Sequence, residues 1–142
     1  MAVRIRIEIE AGKKKVQTVG LVNTGFETDE PEILLPRKLA EKMGLFPPAS
    51  GSMLQEYEVV GGHVLVIKGS GQIGVRILAA DRQTAFVGAF PVISETEREV
   101  LISDSLASEL KISIEDPKRG LWRLSDDLTR SLRNSEKPEY WS

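Results

Sequence analysis

The chain has no cysteine, one histidine and no apolar run longer than a few residues. Without cysteine there are no disulfides, no thiolate nucleophiles and no thiolate metal sites. A single imidazole, His63, rules out any site that needs two from one chain, and a Ser-His pairing would rest on that residue alone. The acidic residues are scattered without ligand spacing, so neither a metal nor another cofactor is expected. Nothing approaches the ~20 apolar residues of a spanning helix. The N-terminus alternates charged with apolar residues, unlike a signal peptide, so no membrane partner is expected and the cytoplasm is the default compartment. An excess of one charge is also missing. Nineteen basic residues stand against 21 acidic ones, a formal charge of -2 that gives no reason to expect a nucleic-acid partner.

What is present is a chain of 142 residues, 41% hydrophobic, long enough for one self-sufficient core and short for two. Val3, Ile5, Ile7 and Ile9 alternate with Arg4, Arg6, Glu8 and Glu10, the period-two pattern of a half-buried strand. Gly12 and three lysines then make a polar turn, and 16–22 reads as the returning strand of a hairpin. Lys13, Lys14 and Lys15 read as a solvated tip in preference to a phosphate patch. After Leu21-Val22-Asn23-Thr24-Gly25 comes an acidic loop, 26–32, and then the short apolar strand Ile33-Leu34-Leu35. Pro36 suits the start of a helix whose buried face is Leu39, Ala40 and Met43, ended by Gly44. Residues 46–52 form a connector.

From 53 to 93 four strands are expected, at 55–60, 63–68, 72–79 and 84–93, with Gly61-Gly62 as the signal for a two-residue hairpin turn. Gly69-Ser70-Gly71-Gln72-Ile73-Gly74 spells G-x-G-x-x-G, but Val75-Arg76-Ile77-Leu78 after it is β-like where a dinucleotide site needs a helix. Val100-Leu101-Ile102 and a brief helix carrying Leu106, Ala107 and Leu110 follow, then strands at 112–114 and 121–124. Ser125-Asp126-Asp127-Leu128 reads as the start of an amphipathic helix with acids in its first turn. Residues 134–142 read as a frayed tail, unless Tyr140 and Trp141 dock. The expectation is therefore a mainly β domain over 1–124, with few and short helices, and a C-terminal helix and tail over 125–142.

A shift of 67 residues lays Glu32-Ile33-Leu34-Leu35 on Glu99-Val100-Leu101-Ile102, Leu39-Ala40 on Leu106-Ala107, Met43 on Leu110 and Leu45 on Ile112. Each match keeps its burial class, as two copies of one strand-helix unit about a pseudo-twofold axis require. At this offset the repeat stops short of Asn23-Thr24-Gly25, because 90–92 is Phe-Pro-Val.

The order of these features, from the strand pair ending in Val22-Asn23-Thr24-Gly25 through Leu35-Pro36, 39–45, the Gly61-Gly62 hairpin and 100–110, resembles the single-lobe, retropepsin-like aspartic proteases over residues 3–124. The resemblance implies a closed β-barrel lobe of the acid-protease type, working as a homodimer whose cleft binds a peptide or protein beneath a flap formed by Gly61, Gly62 and His63. It also places Asn23, Thr24 and Gly25 on the catalytic triplet. Two positions depart from the family pattern. Ser103 stands where a glycine is usual, and Asn23 stands where the catalytic aspartate is expected. Acid proteases work with two carboxylates sharing one proton, and an amide cannot take a proton from water near neutral pH. The leading expectation is a catalytically impaired homologue. The alternative is an active aspartic endopeptidase that uses Asp29 or Glu27, or one whose natural residue at position 23 is Asp.

Overall fold

The computed structural model describes residues 2–48, 51–59, 62–129 and 131–142. The alternating N-terminal stretch forms β1 (Arg4–Ala11), in which Ile5, Ile7 and Ile9 are essentially inaccessible to solvent. It folds back on β2 (Lys14–Val22) in antiparallel register from Arg4↔Leu21 to Ala11↔Lys14. Gly12, at φ 60°, makes the reversal, and the three lysines around it are exposed as expected. Two strand-helix units follow the predicted boundaries closely. The first is β3 (Glu32–Pro36) with α1 (Arg37–Lys42). The second, β8 (Val100–Ile102) with α2 (Asp104–Glu109), comes after β4 (Met53–Val59), β5 (Gly62–Lys68), β6 (Ile73–Ile77) and β7 (Val87–Ser94). Strand β6 begins at Ile73, inside the G-x-G-x-x-G letters, so no helix is there to hold a pyrophosphate.

Six strands close into a barrel in the order β3-β8-β2-β1-β6-β7, with β7 returning to β3 through a parallel pairing. Closure leaves the barrel strands no free edge. The β4–β5 hairpin leaves the barrel as a ribbon, held where Ile67 and Lys68 of β5 pair with Ile93 and Val92 of β7. The core is filled from both units: Ile33, Leu35, Leu39 and Ala40 from the first, and Val100, Ile102, Leu106 and Ala107 from the second.

The predicted duplication is written into this topology. Exchanging β1 with β6, β2 with β7 and β3 with β8 reproduces the same ring of neighbours. The antiparallel pair Leu34↔Leu101 joins two residues that the 67-residue shift superimposes, so the pseudo-twofold axis passes through that pair. The equivalence extends to the helix ends. Pro36 and Ser103 are the N-caps, Met43 and Leu110 the C-caps, and Gly44 (φ 75°) and Lys111 (φ 62°) the left-handed residues that follow them.

The C-terminal segment corrects the sequence-based expectation. After β9 (Ile112–Asp116) and β10 (Leu121–Leu124) there is no helix at 125–129; the chain turns and forms β11 (Arg133–Asn134), which completes a three-stranded sheet. The acids expected to open a helix are engaged elsewhere. Asp126 and Asp127 receive the guanidinium of Arg82, and Asp127 also receives Arg133 at 2.7 Å and the Leu124 amide. Leu128 is fully exposed, so no apolar face is there to bury a helix. The tail is not frayed either. Glu136 donates its amide to the Arg4 carbonyl, Glu139 pairs with Arg6, and Trp141 donates its indole N–H to Thr18 Oγ1 at 3.0 Å beneath the Lys42 ammonium. Residues 135–141 thus strap the β1–β2 hairpin, and the tail packs on the same unit as the rest of the chain.

Candidate functional site

Strand β2 delivers Asn23 to one end of the barrel. The Val22 amide bonds Val3 O and the Asn23 amide bonds Ile102 O, which fixes the residue between β1 and β8. The chain then turns back: the Phe26 amide bonds Asn23 O at 3.0 Å, and the Gly25 amide bonds Asn23 Oδ1 at 3.1 Å. This is an Asx-turn, which asparagine and aspartate can both make because each offers the same accepting oxygen. A Cβ on Gly25 would come within 3.3 Å of that oxygen, so glycine leaves the approach open. Thr24 and Gly25 are exposed at the tip and Asn23 is half-buried beneath them.

Helix α2 secures the rest of the loop. Asp104 donates its amide to Phe26 O and accepts the Thr28 amide on Oδ1 at 3.0 Å. Ser103 stands where the resemblance leads one to expect glycine, and the structure gives its side chain a task. Its φ is -67°, in the ordinary extended region, and its hydroxyl accepts the amides of Leu106 and Glu32 at 3.1 Å each. It is a helix N-cap that also ties β3 to β8, a task glycine could not perform.

Between this loop and the β4–β5 ribbon lies a cleft of about 660 Å³, lined by Gly25, Phe26, Glu27, Asp29, Tyr57 and Lys68 among others. Glu27 and Asp29, the two acids singled out in the sequence, therefore face the cleft from exposed loop positions. Gly62 belongs to β5, paired with Val59, and not to the turn. Gly61 and the His63 side chain lie outside the described residues.

The cleft also holds a buried polar cluster that no sequence motif marks. Glu32 is 4% exposed at the start of β3 and accepts the Tyr57 hydroxyl on one oxygen and the Lys68 ammonium, at 3.1 Å, on the other. Burial and the neighbouring Glu32 carboxylate push the Tyr57 phenol well above its usual range, so it stays a neutral donor. Lys68 also stands 5.1 Å over the Phe90 ring. Together these contacts bind both strands of the ribbon to the barrel. The one available signal was the position of Glu32 beside an apolar strand, an acid where the burial pattern leaves no water to solvate it.

The other end of the repeat carries a second, shorter loop. Pairing of Pro36 with Ser94 in β7 mirrors the approach of Asn23 to Ser103, so Ser94 is the pseudo-symmetric counterpart of Asn23. Its hydroxyl accepts the amides of Thr96 and Glu97, a turn of the same kind as that at Asn23. The offset differs from that of the strand-helix units because the loop after Asn23 is longer than the loop after Ser94. A gapped comparison of Val22-Asn23 with Ile93-Ser94 would have found it. Neither position has a carboxylate.

No cluster of metal-ligating side chains occurs among the described residues. No described helix is long and apolar enough to cross a membrane. No protein-family model matches the chain, and no curated protein sequence matches it.

Proposed function

We propose that this chain is a retropepsin-like domain that has kept the scaffold of an aspartic protease and lost its reaction, and that it forms a homodimer whose cleft binds a peptide. The observation that carries this reading is the loop at Asn23. Asn23 and Thr24 do not themselves line the cleft, but the Asn23 side-chain oxygen is held at 3.1 Å by the amide of Gly25, which does, and a carboxylate at this position would be held in the same way. The pseudo-twofold barrel and the exposed Thr24-Gly25 tip agree with it. With asparagine at both facing positions of a dimer, neither side supplies a base toward water, and general-base assistance of about 10²–10⁴-fold is lost. Bound peptides can still be hydrogen-bonded by the amides.

The second reading is an active endopeptidase, favoured by Glu27 and Asp29 lining the same cleft. Incubating the protein and Asn23→Ala with a diverse peptide library from pH 3 to 7 separates the two. The first reading expects no cleavage by either protein. Cleavage by both proteins that is lost in the Glu27→Gln/Asp29→Asn variant would establish the second, and pepstatin-sensitive cleavage that Asn23→Ala abolishes would refute the loss of catalysis.

A further inference from the structure

The cleft is more acidic than the chain that builds it. Five carboxylates line it, those of Glu27, Asp29, Glu30, Glu32 and Glu56, against the single ammonium of Lys68. Setting aside Glu56, which is engaged elsewhere, the other four against Lys68 leave a formal charge of -3 in a protein whose whole formal charge is -2. The one cation is already committed, held by Glu32 at 3.1 Å and 3.8 Å from Glu30. The aromatic wall has matching chemistry. The Phe26 and Tyr57 rings lie 5.8 Å apart among the lining residues, and aromatic rings attract ammonium and guanidinium groups.

A separate feature of the same ribbon concerns the backbone. Among the described residues, strand β4 ends the eight-stranded sheet and pairs only with β5, so no described strand lies beside its outer edge. Gln55 and Tyr57 of that strand line the cleft, while Met53 and Leu54 are 59% and 68% exposed. An extended chain added along β4 would use this outer edge for register and present alternate side chains to the acidic wall. A second copy of this edge would bring one acid-lined cleft beside another, a like-charge contact that opposes self-pairing.

We infer that the cleft selects an extended peptide bearing lysine or arginine, added as a strand along β4 with its cations facing Glu27, Asp29 and Glu30. This inference rests on the peptide-cleft reading above and specifies its ligand class.

Calorimetric titration of the full-length protein with three capped nine-residue peptides tests it. The peptides alternate threonine with lysine, glutamine or glutamate. The lysine peptide is expected to bind at least about tenfold more tightly than the glutamine peptide, to weaken as salt is raised, and to exceed the glutamate peptide by more. The Glu27→Gln/Asp29→Asn/Glu30→Gln variant changes only exposed loop residues and should lose about tenfold for the lysine peptide alone. Methylating alternate backbone nitrogens of that peptide should weaken it by a similar factor if strand addition holds it. Equal affinity for lysine and glutamine peptides, or an unchanged triple variant, overturns the charge selection. Undiminished binding of the methylated peptide overturns the strand addition. Failure of all three peptides to bind refutes the peptide-cleft reading itself, a different outcome from loss of selectivity.

Discussion

Replacing Lys111 by glycine should make the protein more stable. Lys111 is the one non-glycine with positive φ among the described residues, at 62°, and its counterpart in the first repeat unit is Gly44 at 75°. Both residues follow a short helix and donate their amides back into its last turn, Gly44 to Glu41 O and Lys111 to Ser108 O. A side chain in the left-handed region costs about 1–2 kcal/mol, because Cβ crowds the following carbonyl. Glycine removes that cost but gives back about 0.5–1 kcal/mol through the freer unfolded chain. The Lys111–Asp126 pair lost in the change is exposed and spans 3.6 Å, so it contributes little. The net expectation is a gain of about 0.5–1 kcal/mol, or about 1–4 °C in Tm for a chain of this size. The reverse change, Gly44→Ala, should by the same balance cost about 0.5–1 kcal/mol, since the nearest atom to its new Cβ is the far end of the Lys14 side chain at 3.4 Å and the backbone term decides. Urea unfolding reads both effects as shifts in midpoint at unchanged slope. A destabilised Lys111→Gly together with a neutral Gly44→Ala would refute the equivalence of the two helix ends.

Three further outcomes follow from contacts described above. Asp127, between Arg133 and Arg82, is held down to about 2 from the ordinary range near 4. Its depressed value means that the stability it contributes is full above about pH 4 and is lost as the pH falls through about 2, so the C-terminal strap should loosen in that window. Trp122, beneath the Arg133 guanidinium, reports the loosening by fluorescence, and Asp127→Asn should remove this component of the pH dependence. Tyr57→Phe leaves one oxygen of buried Glu32 without its hydroxyl donor and should cost about 1–3 kcal/mol, with faster limited proteolysis of the β4–β5 ribbon as the direct readout. Unchanged cleavage would show that the Glu32 contact does not hold the ribbon. Because the chain lacks cysteine, Thr24→Cys introduces a unique thiol at the exposed loop tip. Mild oxidation should link two such chains if their loops meet across a twofold axis, whereas Ser70→Cys, outside the loop's cleft, should not link.

The parts of the fold that depend on local pattern were legible. Alternation gave β1, glycine and lysine gave its turn, and the Leu39-Ala40-Met43 face gave α1 with its glycine stop. The 67-residue repeat predicted the axis that the Leu34↔Leu101 pair occupies. Long-range polar contacts were not legible. Asp126 and Asp127 have the composition of a helix start, but Arg82 and Arg133, distant in sequence, take their oxygens before a helix can use them. The tail reads as polar and loose until Arg4, Arg6 and Thr18 supply partners for it. At the site, the Asn23-Thr24-Gly25 turn was visible as a motif, whereas Glu32, Tyr57 and Lys68 converge from three strands with no spacing to announce them.

Under the proposed function, a competent protease scaffold lacks only its carboxylates. Asn23→Asp restores them without disturbing the turn, since an aspartate oxygen can accept the Gly25 amide as the asparagine oxygen does. Assayed against the peptide library between pH 3 and 7, this variant should acquire pepstatin-sensitive cleavage with an acidic optimum while the unsubstituted chain stays inert. An inert Asn23→Asp that remains folded and dimeric, or equal cleavage by both proteins, would contradict the account.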